Sequence, residues 1–213
     1  MEMHARRPET SLYDLDQAQN TFDEGFYFYS KISEKEMDDL VKPVINAAKK
    51  IGNEICKTDN TGKRGFMLAI TKNIPDFPTV FIEVGHTWAQ DEDFGRDGKR
   101  KKYIEFAHKK AEVIKKNNGF ISSGQNMTID SDKRLKSSNE IDIPQGALLF
   151  GEWIISVSAF KDAEFDTATT MAIAVGAGII SINNAKSLAR DERVNCKVFI
   201  EKFDQICVEP IYH

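Results

Sequence analysis

Cysteine is scarce: Cys56, Cys196 and Cys207 are all that 213 residues contain. An odd, scattered set of three supports neither a disulfide framework, nor a zinc cluster, nor a c-type haem attachment. Long apolar runs are missing as well, and no stretch approaches the ~20 residues of a membrane helix, so no membrane partner is expected. The opening, Met1-Glu2-Met3-His4-Ala5-Arg6-Arg7-Pro8, is polar with no apolar stretch behind it and does not read as a secretory signal. Neither charge sign dominates: 29 Lys and Arg stand against 33 Asp and Glu, a net charge of −4. That balance makes the whole chain a poor attractor of nucleic acid, and no nucleic-acid partner is expected. A soluble cytoplasmic protein is the expectation. What is present suffices for a core: 41% hydrophobic and 29% charged residues describe one domain of ordinary size with appendages.

Residues 1–32 read as an N-terminal extension with few aliphatic residues but a crowd of aromatics, Phe22, Phe26, Tyr27, Phe28 and Tyr29. Such a group docks on the domain or on a partner subunit, because leaving it wet forgoes ~1.5–3 kcal/mol per side chain. Ser33 and Glu36 then stand at capping-box spacing. Met37, Leu40, Val41, Val44, Ala47, Ala48, Ile51 and Ile55 form one apolar face, predicting a helix over roughly 34–56 that Pro43 would kink or shorten. Gly65–Ile70 and Thr79–Val84 read as strands, the second breaking at Gly85 with a hairpin continuation through His86–Ala89. An acidic, glycine-bearing loop from Asp91 to Gly98 leads into a basic helix whose inward side is Ile104, Ala107, Ala111 and Ile114. Residues 117–145 are polar and read as a long loop. Ala147–Phe150 and Trp153–Ser158 should form an antiparallel hairpin through Gly151-Glu152, with alternate residues on opposite faces. A last core helix is expected from about Asp166 to Ile179. Residues 184–213 read as a C-terminal extension whose apolar runs, Lys197–Ile200 and Gln205–Val208, suit edge strands or a dimer arm.

Several catalytic and binding motifs fail on inspection. In Asp91–Gly98 the sixth position of a calcium loop is Arg96 rather than glycine, and the twelfth is Lys102 rather than glutamate. His86 and His108 lack a metal-ligating neighbour at helical spacing, so no metal site is expected. No serine or cysteine occupies a nucleophile elbow, and Gly62-Lys63-Arg64-Gly65 is too short for a phosphate loop. The basic stretch Arg96, Lys99, Arg100, Lys101, Lys102 reads either as a solvated helix face or as an anion clamp at a helix N-terminus.

The order of several pieces nevertheless resembles a known family. They are Phe81–His86 ending in Gly-His, Gly95-Arg96-Asp97-Gly98, and the helix Ile104-Glu105-Phe106-Ala107-His108-Lys109-Lys110-Ala111. Pro144-Gln145-Gly146-Ala147, the strand Ile154–Phe160 and Asp166 complete the set. Together they resemble the GlcG/HbpS-like haem-degrading-domain family, which includes the C-terminal domain of PduO-type proteins, over about residues 35–182. The chain departs from that pattern at Gly95, where the family has its loop arginine, and at Ala147 and Ala159, where it has glycines. Glycines in such turns serve a positive φ or a close backbone approach, so an altered ligand pocket is implied.

The resemblance implies an α+β fold over residues 33–183, an antiparallel sheet with packed helices of profilin/PAS-like kind, and a homo-oligomer. It also implies a ligand-binding, non-catalytic protein whose ligand is haem or a related tetrapyrrole. No catalytic residue is assigned, because an oxygenase-type reaction needs an axial ligand with an open polar distal side. His86 falls on a family motif position, and His108 is a second candidate axial ligand. Arg96, Asp97, Gly98 and Gly146 complete the candidate cofactor site, expected to converge on one concave surface that takes an anionic small molecule. The alternatives are an oligomeric interaction module that has lost the ligand, and a small-molecule enzyme acting on an anionic substrate near Asp97, His86 and Arg96.

Overall fold

A computed structural model describes residues 33–58, 65–75, 77, 79–85, 95–125, 128–129, 135–136, 145–160, 162–203 and 206. The aromatic segment Phe22–Tyr29, the hairpin continuation 86–89 and the run 207–208 lie outside these residues. The chain enters the fold at Ser33, whose hydroxyl accepts from the Glu36 amide while the Glu36 carboxylate accepts from the Ser33 amide, the reciprocal cap expected from their spacing. Glu34–Glu36, Met37–Val41 and Lys42–Thr58 run on as a single helix, α1. Pro43 neither ends it nor moves its start. The turn Met37–Val41 is π-helical, with the Lys42 amide reaching back to the Met37 carbonyl. Proline lacks an amide and crowds the carbonyl four residues back, and a widened turn just ahead of it relieves both.

Four antiparallel strands follow in the spatial order β2-β1-β6-β5, with β1 Gly65–Lys72, β2 Val80–Gly85, β5 Ala147–Phe150 and β6 Trp153–Ser158. The fold is therefore α+β. The β5–β6 hairpin forms as expected: Leu148 pairs with Ile155 and Phe150 with Trp153 across Gly151, whose φ is +61°. Alternation also holds. Leu148, Phe150, Trp153, Ile155 and Val157 face one core, while Ala147 and Ile154 face another. Between β2 and β5 come helix α2, Gly95–Lys116, and a two-residue ladder of β3, Thr128–Ile129, with β4, Leu135–Lys136. Part of the expected 117–145 loop is not free-standing, since Ser122 bridges to Leu148 and lengthens the sheet beyond β5.

Helices cover both faces of the sheet, which is why every residue of β1 is buried. On one face lie α1 and α3, Ala163–Gly176. On the other, α2 runs diagonally: Ile104 and Ala107 pack on Met67, Ala69 and Phe81, and Ala111 and Ile114 on Ala147 and Ile154. Three expectations need correction. Gly95–Gly98 belong to the first turn of α2, not to the loop before it. The core helix runs Ala163–Gly176 and so begins earlier than expected, where the Asp162 carboxylate caps it by accepting from the Glu164 amide. The expected edge strand or arm at 197–200 is instead helical core. Helix α4, Ile182–Arg190, a π-helical turn, Phe199–Phe203, and the stretch between them bury Ala185, Ala189, Cys196, Phe199 and Phe203 in the α1/α3 core. That core continues across the boundary expected at residue 183.

Candidate functional site

Three positions quoted for the family resemblance meet inside the protein. Lys110 lies on the inward face of α2, Asp166 in the first turns of α3, and Gly146 just before β5. Lys110 Nζ donates to Asp166 Oδ2 at 2.6 Å and to the Val157 carbonyl at 2.7 Å. Asp166 Oδ1 accepts from the amides of Ala159 (3.2 Å) and Phe160 (3.1 Å), holding the turn from β6 into α3. Thr170 Oγ1 lies 2.7 Å from the Gly146 carbonyl and 3.1 Å from that of Asp166, and Val157 donates its amide to the Gly146 carbonyl at 2.9 Å. The Lys110 and Asp166 side chains are 0% and 3% exposed. Burial pushes each toward its neutral form, Lys110 downward and Asp166 upward, and their mutual attraction opposes both shifts. The donor pattern suits the ionised pair, since Asp166 only accepts and Lys110 only donates.

Gly146 has φ +132°, and a Cβ there would stand 2.7 Å from Val157 O and 2.8 Å from both Asp166 Cβ and Lys110 Nζ. Close approach to this cluster by itself requires the glycine. Chemically, the cluster is a closed polar staple between helices on opposite faces of the sheet.

The other predicted residues distribute differently. His86 lies outside the described residues. Arg96, Asp97 and Gly98 occupy the first turn of α2, their backbone alone being described. Lys110 stands twelve residues beyond Gly98, ~18 Å along the helix axis. The first half of α2 packs through Ile104 and Ala107 on β1 and β2, and its second half through Ala111 and Ile114 on β5 and β6, with Gly146 beside Lys110 of that second half. Gly85 and Gly146 are on opposite edges of the sheet, three strand spacings or ~14 Å apart. Gly146 thus does not join Arg96–Gly98 and Gly85 on one rim. His108 is exposed on α2, with its ring edge-on to Phe81 at a centroid distance of 6.2 Å. Desolvation by the protein around it lowers its pKa, and the Lys115 and Lys116 charges act in the same sense against Glu112.

A second charged cluster escaped sequence reasoning. Lys72, at the end of β1 and 11% exposed, pairs with Glu36 of α1 and, at 3.0 Å, with Glu152 of the hairpin turn. Its Nζ lies 5.0 Å from the Trp153 ring centroid and 5.5 Å from that of Phe77. Hydrogen bonding from Lys72 and from Ser33 holds the Glu36 carboxyl down at about 2. Cys196 is inert by contrast: buried, with its thiol pushed up to about 12 chiefly by desolvation.

Among the described residues no group of three or more His, Cys, Asp and Glu is placed to hold a metal ion, and no helix is long and apolar enough to cross a membrane. Comparison with known proteins finds no matching family model, no matching curated protein and no matching solved structure.

Proposed function

We propose that this chain is a non-catalytic ligand-binding protein of GlcG/HbpS-like kind, and that its ligand class is haem or a related tetrapyrrole. The observation that carries the ligand reading is His108. Its imidazole is accessible on one side, faces an aromatic ring on the other, and is biased by desolvation toward the neutral form that ligates iron. When bound, haem supplies an iron that accepts such an axial nitrogen. The exposed ammonium groups of Lys102 and Lys109, on the same helix, offer charge for propionates. The scaffold reading is supported by the meeting of Lys110, Gly146 and Asp166, positions dispersed over 57 residues that the resemblance singles out.

A second reading, an interaction module without the ligand, is favoured by the closure of that same cluster. Asp166 already satisfies Lys110, so this buried cation does not call for an anionic ligand. Titrating haemin into the full chain and into His108→Ala and His86→Ala, read by absorbance, separates the two. Saturable binding with a Soret band that His108→Ala shifts or abolishes is the expected result. The absence of saturable binding, or a band indifferent to His108→Ala, overturns the assignment.

A further inference from the structure

We propose that the interface between α2 and the sheet contains a binding site for one water molecule, held by the hydroxyl of Ser156 and the ammonium group of Lys110. The proposal goes beyond the ligand reading and does not depend on it. Ser156 lies in the middle of β6 and is wholly buried. Among the described residues its Oγ is the one buried side-chain polar atom without a hydrogen-bond partner. A hydroxyl left dry and unpaired forfeits its solvation with no return, which is why buried polar groups are nearly always bonded, to protein or to ordered water.

Strand alternation fixes where that hydroxyl is aimed. Ile155 and Val157, on either side of it, face the α1/α3 core, so Ser156 faces α2 together with Ile154. Its neighbours across the sheet are Ala69 on β1 and Ala147 on β5. Helix α2 passes over this row with Ala107, which packs in one apolar cluster with Ala69, and Ala111, which packs in another with Ala147. Ser156 therefore stands where the two clusters fail to merge, framed by four alanines. None of them carries a side-chain atom beyond Cβ, so none can bond the hydroxyl. A frame so small suits a water molecule and not an organic ligand.

Lys110 supplies the second polar partner. It lies between Ala107 and Ala111 on the inward side of α2, and its side chain is 0% exposed. An ammonium group has three protons, and Lys110 Nζ donates to the Val157 carbonyl at 2.7 Å and to Asp166 Oδ2 at 2.6 Å. These two bonds leave one proton to place. Val157 follows Ser156 directly, and Gly146, where a Cβ would stand 2.8 Å from Lys110 Nζ, directly precedes Ala147, the partner of Ser156. Ammonium and hydroxyl thus border adjacent rungs of the β5–β6 ladder without bonding to each other. A water between them accepts from Lys110 and donates to Ser156 Oγ, and both groups are satisfied at once. A single trapped molecule leaves the Lys110–Asp166 pair shielded from bulk solvent.

The test is ¹⁷O relaxation dispersion of water in solutions of the full chain and of Ser156→Ala. Oxygen-17 counts whole water molecules, so exchanging hydroxyl and ammonium protons do not enter. One long-lived water fewer is expected in the variant, together with an unfolding equilibrium constant in urea raised roughly two- to tenfold. A crystal structure of the natural chain should place a water oxygen within about 3.2 Å of both Ser156 Oγ and Lys110 Nζ. An unchanged count of long-lived waters overturns the proposal. So does a variant as stable as the natural chain or more so, the behaviour of a dry orphan hydroxyl, and so does a direct Ser156–Lys110 hydrogen bond in the crystal.

Discussion

Lys110 and Asp166, 56 residues apart in sequence, form an ion pair of 2.6 Å from which water is almost wholly excluded. Each holds the other's charge in a place that tolerates neither alone.

Lys110→Met leaves Asp166 as an unpaired buried carboxylate and should destabilise the fold by about 3–5 kcal/mol. Asp166→Asn in the otherwise unaltered chain strands Lys110 in the same way. In the double variant the asparagine carbonyl still accepts from Ala159 and Phe160, and no buried charge remains. The second substitution should therefore cost much less in the Lys110→Met background than alone. Urea unfolding of all four proteins measures the coupling; strictly additive losses would show that the pair does not act as a unit.

Gly146→Ala and Gly151→Ala make a matched comparison, since both glycines have positive φ. At Gly151 an added Cβ meets nothing within 4 Å, so the cost is that of the left-handed backbone alone, about 1–2 kcal/mol. At Gly146 it meets the Val157 carbonyl, Asp166 and Lys110 as well, and the loss should reach about 2–5 kcal/mol. Chemical denaturation of both variants checks the ranking, and equal losses would contradict the close packing described at Gly146.

Acid should loosen the attachment of α1 to the sheet. The folded-state pKa of Glu36, about 2, lies below its ordinary value of 4.5. Its stabilising contribution is therefore complete above about 4.5 and is lost as pH falls toward about 2. Thermal melts between pH 5 and pH 2 should show the midpoint of the natural chain falling more steeply than that of Glu36→Gln. Asp191, also held at about 2 by Arg193, titrates in both proteins and cancels from the difference. Parallel curves would remove Glu36 from the account.

The sequence made legible those features whose signal is local. Ser33 and Glu36 announced a helix start, and alternation about Gly151 specified the β5–β6 hairpin and its two faces. The start of α2 was hidden because Gly95, Asp97 and Gly98 favour turns, and helical tertiary context overrides that preference. Helix α4 was missed although Ser181, which accepts from the Asn184 amide, is an ordinary N-cap signal. The short apolar runs after it resembled strands because periodicity cannot settle so few residues. The Lys110–Asp166 pair has no local signature at all. Its one trace was a lysine on the same helical face as Ala107, Ala111 and Ile114, an inward cation that needed a partner from elsewhere. The Gly146 turn was assigned to a ligand rim through the family resemblance, and nothing local to that turn says which helix lies over it.

The π-helical turn ahead of Pro43 makes α1 two helices spliced with an azimuthal offset. One residue more in that turn rotates everything N-terminal to it by ~100° relative to an uninterrupted α-helix. With an uninterrupted helix, Glu36 would swing away from Lys72, and Met37 out of the core. A proline, the residue usually counted as a helix stopper, here works as an indexing pin. It selects which of several neighbouring side chains is presented to the cation at the end of β1.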